Sequence, residues 1–75
     1  MNKLRRKKLQ ELREQIENLK CELEEVRDEE EDSFNNLPES LQYSERGETM
    51  EANVSNLDEA ISNLEYALDN IDYID

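Results

Sequence analysis

The apolar residues in the first half of the chain fall at Leu9, Leu12, Ile16, Leu19, Leu23 and Val26, spaced 3, 4, 3, 4 and 3 apart. The second half repeats the rule at Met50, Val54, Leu57, Ile61, Leu64, Leu68 and Ile71, spaced 4, 3, 4, 3, 4 and 3. This alternation is the heptad repeat of a helical seam, because residues three and four apart share one face of an α-helix. All thirteen seam positions are apolar in a chain that is only 35% hydrophobic and 40% charged, a composition that alone would suit disorder. The periodicity decides for two amphipathic helices.

Between the heptad stretches, Ser33 to Gly47 holds the only proline and the only glycine. These residues punctuate helices most strongly. Asn36-Leu37-Pro38-Glu39 suits an N-cap with proline in the first turn and a capping glutamate. Ser44, followed by Glu45 and Glu48, is a second candidate cap. The return helix therefore starts either near Leu37 or, after a short turn, near Glu45. The expected layout is helix one over about 3–32, a connection over about 33–47 and helix two over about 48–74, forming a single domain.

The flanking charges orient the two helices. With Leu9, Ile16 and Leu23 at heptad position a, the e positions of the first helix are Arg6, Arg13, Lys20 and Arg27, all basic. With Val54, Ile61 and Leu68 at a, those of the second are Glu51, Asp58, Glu65 and Asp72, all acidic. Antiparallel seams set e beside e, so the fold class expected is all-α, an antiparallel two-helix coiled-coil hairpin. An apex near Ser40, inside the Pro/Gly segment, pairs Arg6 with Asp72, Arg13 with Glu65, Lys20 with Asp58 and Arg27 with Glu51. The same register layers Leu9 on Ile71, Ile16 on Leu64, Leu23 on Leu57 and Val26 on Val54. Glutamates four residues after Arg13, Lys20 and Arg27 also allow pairing within the first helix.

Two helices give a 75-residue chain little to bury. The g positions of the second helix, Asn53, Ala60, Ala67 and Ile74, widen its apolar face. Ala60, Ala67 and Ile74 are the expected contact face of a homodimer, which would complete a four-helix bundle.

Catalytic chemistry finds no foothold. The chain has no histidine, one cysteine and one glycine, which removes zinc and haem ligation, internal disulfides, His- or Cys-based catalysis and a glycine-rich phosphate loop. Its carboxylates fall on solvent-facing heptad positions, without the burial that splits the pKa values of an acid/base pair. No enzyme, metal or cofactor is expected. Cys21 sits at position f, away from the seam, and reads as a surface thiol. Tyr66 and Tyr73, also at f, are either surface rings or part of a contact face. No apolar run reaches the roughly 20 residues of a membrane span. The basic start Lys3 to Lys8 leads into Leu9-Gln10-Glu11-Leu12, not the apolar core of a signal peptide. A cytoplasmic location follows as the expectation.

Charge is the remaining feature. Net charge is −12, yet residues 1–8 carry five basic residues and no acid. Residues 24–32 carry seven acids and one base. Glu24, Glu25, Asp28, Glu29, Glu30, Glu31 and Asp32, with Glu39, Glu45 and Glu48 around the turn, form a candidate docking patch for a basic protein surface. As a nucleic-acid mimic the hairpin is dilute: about one net charge per 4 Å of rod against one per ~1.7 Å of duplex. The basic start is expected to lie beside Asp69, Asp72 and Asp75 in the hairpin, so nucleic-acid contact through it is a lesser reading.

Asn36-Leu37-Pro38-Glu39-Ser40-Leu41-Gln42, followed by Ser44-Glu45-Arg46-Gly47-Glu48-Thr49-Met50-Glu51, resembles a pattern in small acidic helical proteins of phages and mobile elements of Firmicutes. A basic opening, a Glu-rich first helix and a Leu/Ala/Glu/Asp second helix extend the likeness over most of the chain. The resemblance brings no catalytic motif. It implies a phage-type accessory protein, a class whose small acidic members often block host defence or host enzymes. The function expected is a non-enzymatic inhibitor that occludes a basic site on a host protein, a nucleic-acid-binding site being one form of it. The alternative is a self-assembling structural or adaptor coiled coil.

Overall fold

A computed structural model describes residues 1–75 and contains three helices and no strand. Helix α1 spans Lys3–Asn35, α2 is a single turn over Glu39–Gln42, and α3 spans Glu45–Asp72. α1 and α3 pack lengthwise into an antiparallel hairpin measuring 58 × 15 × 12 Å along its principal axes. α1 begins where the Asn2 side chain accepts from the Arg5 amide at 2.9 Å, which satisfies one of the first-turn donors left over by the helix. It ends at Asn36, two residues before Pro38, whose ring disfavours helical backbone just ahead of it.

The connection is shorter than the sequence suggests, and one expected cap is reassigned. Asn36 closes α1 and does not open a helix, and α2 follows Pro38 with no side-chain cap. Helix one thus runs three residues beyond 32 and α3 starts three before 48. Ser44 is the cap that forms, its hydroxyl accepting from the Gly47 amide at 3.4 Å and donating to the Leu41 carbonyl. The Gln42 amide nitrogen donates to the Leu37 carbonyl at 3.2 Å and to the Phe34 carbonyl at 3.5 Å, closing the end of α1. Gly47 is buried where the α2 backbone crosses α3. A β-carbon there would lie 2.6 Å from the Leu41 carbonyl oxygen and closer still to that of Gln42. The glycine is therefore a steric requirement of the turn, not a source of flexibility.

This turn resets the register. Arg13 pairs with Asp72, Lys20 with Glu65 and Arg27 with Asp58, an index sum of 85 each time. The expected partners (Arg6 with Asp72, Arg13 with Glu65, Lys20 with Asp58, Arg27 with Glu51) are each displaced by seven residues. Leu23 correspondingly shares a groove with Leu64 instead of Leu57. Apolar and charged rows both repeat every seven residues, so a slide of one heptad leaves apolar on apolar and basic on acidic. The connection breaks this degeneracy. Residue 35 ends level with about residue 50, so the first turn and more of α3 projects past α1, and α2 packs on that projection. Arg6 and Glu51 are left without an ion pair; Phe34 lies beside Glu51 in the place expected for Arg27.

Of the apolar side chains only Ile61 and Leu68, both at a on α3, are closely covered, at 6% and 5% exposure. On α1 the half-buried positions are Leu9, Arg13, Ile16, Lys20, Leu23, Arg27, Glu30 and Phe34, the a and e rows, with Glu17 and Glu24 at b beside Arg13 and Lys20. Its d row is open: Leu12, Leu19 and Val26 are 38%, 53% and 49% exposed. The physical reason is that Arg13, Lys20 and Arg27 lay their aliphatic stems over the seam to reach the acids of α3, which rolls α1 toward its e edge.

Candidate functional site

The ion-paired edge consists of three clusters. Arg13 grips Asp72 with two parallel hydrogen bonds, Nε to Oδ1 at 2.6 Å and Nη2 to Oδ2 at 3.0 Å, and reaches Glu17 at 3.0 Å. Lys20 lies 3.7 Å from both Glu65 and Glu24. Arg27 contacts Asp58 at 2.5 Å and Asp28 at 2.8 Å. Interhelical and intrahelical pairing thus coexist. The hydrogen bond from Arg13, opposed by partial desolvation and aided by its charge, holds the Asp72 carboxyl below the usual carboxylate range. The same bond raises the Arg13 guanidinium further above neutrality, and Asp58 does so for Arg27.

These pairs engage six of the 21 acids. The proposed docking residues collect at the turn end of the rod. Glu24 is occupied by Lys20 and Asp28 by Arg27, while Glu30 accepts from the Asn53 amide at 2.8 Å. Glu25, Glu29, Glu31, Asp32, Glu39, Glu45 and Glu48 are exposed and have no cation within 4.0 Å. Glu45 and Glu48 suit the positive end of α3. Glu29, Glu31 and Asp32 do not suit their place: they occupy the negative end of α1, whose last turn has no basic residue. Local helix electrostatics does not account for them.

The basic end differs from expectation. Arg6 shares a shallow depression with Asp72 and Asp75, but none of Lys3, Arg5, Arg6, Lys7 and Lys8 makes an ion pair. The heptad slide is responsible, because α3 ends level with Arg13 and the first turns of α1 run past it. These bases also carry the wrong sign for the positive end of their helix, and the expected cancellation by Asp69, Asp72 and Asp75 does not close into contacts.

Of the expected dimer face, Ala60 and Ala67 are half-buried and Ile74 is exposed. The larger apolar surface lies across the groove on α1, where Leu19, Leu23 and Val26 meet Leu64, with Glu22 the one charged lining residue. Heptad spacing does not reveal this, because it identifies the apolar face without saying which edge of it the partner helix covers. The length of the basic e-row side chains was the available signal. Cys21 is a free exposed thiol, and Tyr66 and Tyr73 are exposed. No cluster of three or more His, Cys, Asp or Glu is arranged to hold a metal ion. No helix is long and apolar enough to cross a membrane. Comparison with protein-family models, curated proteins and solved structures gives no match.

Proposed function

We propose that this chain is a non-enzymatic interaction protein that places its acidic turn end on a basic surface of another protein and blocks it. The carrying observation is the set of seven exposed carboxylates, Glu25, Glu29, Glu31, Asp32, Glu39, Glu45 and Glu48, left without cations on a rod 58 Å long. Three of them sit where their own helix disfavours negative charge, so intermolecular pairing is the economical account of their placement. The sequence resemblance to phage accessory proteins suggests a host protein as the target and the host cytoplasm as the place of action.

Salt and charge deletion test this reading together. Raising salt from about 0.1 M to about 1 M shortens the Debye length from about 10 Å to about 3 Å and weakens exposed charge contacts. Immobilised wild type should retain basic proteins from a cell extract at low salt and release them at high salt. A variant with the seven acids changed to Gln or Asn should retain none of them. Equal retention by wild type and variant would remove the proposal.

A further inference from the structure

The open d edge of α1 has three properties that together specify an occupant. First, Leu12, Leu19 and Val26 are exposed at seven-residue intervals on the edge facing away from the ion pairs, and Leu19, Leu23, Val26 and Leu64 line one groove. Ala60, Leu64 and Ala67, at i, i+4 and i+7, continue the small and apolar surface onto α3. Second, the midpoint of α1, Lys3–Asn35, is Leu19, the centre of the exposed row. Third, both ends of α1 carry charge of the wrong sign for the helix dipole, and neither the five bases before Leu9 nor Glu29, Glu31 and Asp32 find a counter-ion within the chain.

We infer that this edge binds a second copy of the chain, with the two α1 helices antiparallel about a two-fold axis at Leu19. The axis makes the helices overlap over their full length. It sets Leu12 against the partner's Val26 and Leu19 against the partner's Leu19, so the contact is self-complementary, as a two-fold interface must be. The same geometry sets Lys8 against the partner's Glu30, next to the partner's Glu29, and brings Arg5 within reach of the partner's Asp32. At the centre, Glu22 meets the partner's Ile16 and the partner's Gln15, and the acids that stand level with one another, Glu14 and the partner's Glu24, fall at f and b, away from the contact. A parallel pair would instead stack bases on bases and acids on acids. Charge therefore selects the antiparallel form.

The area suffices. A strip the length of α1, about 50 Å, and as wide as one helix with its side chains, about 10–12 Å, spans about 500–600 Å² per copy, at the roughly 1,000 Å² in total that a specific interface needs. The isolated hairpin closely covers only two aliphatic side chains, Ile61 and Leu68. Glu31, Glu39, Glu45 and Glu48 remain outside the contact, so the dimer still carries an acidic surface at each end, while Glu29 and Asp32 are shared between the dimer contact and the docking proposal.

Cysteine cross-linking in the full chain, with Cys21→Ser as background, tests position and direction at once. Under oxidising glutathione, Leu19→Cys should cross-link to itself within minutes at micromolar concentration. Leu12→Cys should cross-link to Val26→Cys when the two proteins are mixed, at least tenfold faster than to itself. Tyr66→Cys on the outer face should remain uncross-linked. Sedimentation equilibrium of the unmodified protein should give a dimer, converted to monomer by Leu19→Glu. Because that variant could also unfold, circular dichroism must show retained helix for its result to count, and the cross-linking pattern decides if it does not. A strict monomer at high concentration, preferential Leu12→Cys self-linking, or a basic arm that binds duplex DNA while the chain stays monomeric each overturns the inference.

Discussion

The two long edges of the hairpin grow from the same heptads but end in opposite states. On the e edge, Arg13, Lys20 and Arg27 meet Asp72, Glu65 and Asp58, and their stems cover the seam. On the g edge, Gln15, Glu22 and Glu29 of α1 run alongside Asn53, Ala60 and Ala67 of α3 with no ion pair, and the neighbouring Leu19 and Val26 stay half-exposed. The contrast teaches that a seam is closed by its flanking side chains as much as by its apolar ones. Long charged side chains with complementary partners draw one edge shut, and small or uncharged partners leave the other open.

The strongest way to separate the edges is truncation of apolar side chains behind and beyond the seam. Leu68→Ala should destabilise the hairpin by about 2–5 kcal/mol in urea unfolding, since Leu68 is closely covered. Leu19→Ala, measured at concentrations low enough to keep the chain monomeric, should cost less than half as much. Equal costs would mean that the d edge is covered within one chain.

Gly47→Ala should come next. Its β-carbon would meet the backbone carbonyls of Leu41 and Gln42, which cannot move without lifting α2 from α3. The expected loss is about 1–3 kcal/mol, in the range of local overpacking. Unchanged stability and an unchanged turn in NMR spectra would show that this crossing does not hold the register.

A smaller effect discriminates between the two registers directly. A double-mutant cycle between Arg13 and Asp72 should give a positive coupling energy, and one between Arg6 and Asp72 should give none. The reverse would restore the register with an index sum of 78.

The smallest effect is a titration. The folded-state pKa of Asp72 is depressed by its Arg13 hydrogen bond. The stabilisation from this pair is therefore complete above the ordinary aspartate pKa, and it is lost as pH falls through the depressed folded value. Carboxyl NMR should show Asp72 titrating below the ordinary aspartate range, and Arg13→Gln should remove the depression. An unshifted Asp72 midpoint would mean that the e edge is not closed in solution.

Much of this is legible in the residue order itself. The seam spacing named both helices, the opposed e rows gave their direction, and Ser44 was among the two candidate caps. The acids of residues 24–32 were legible as a run, but not that Lys20, Arg27 and Asn53 occupy Glu24, Asp28 and Glu30. Those contacts depend on rotamers and register, which composition does not encode.

The residue order alone determined that the chain forms two antiparallel amphipathic rods, because apolar spacing and charge sign act locally and repeat in every heptad. Tertiary structure alone decided which heptad meets which and which edge stays open. A pattern of period seven looks the same after a slide of seven. The choice fell to a nonrepeating feature, the α2 turn seated on Gly47, and to the reach of three basic side chains that rolled α1 off its d row.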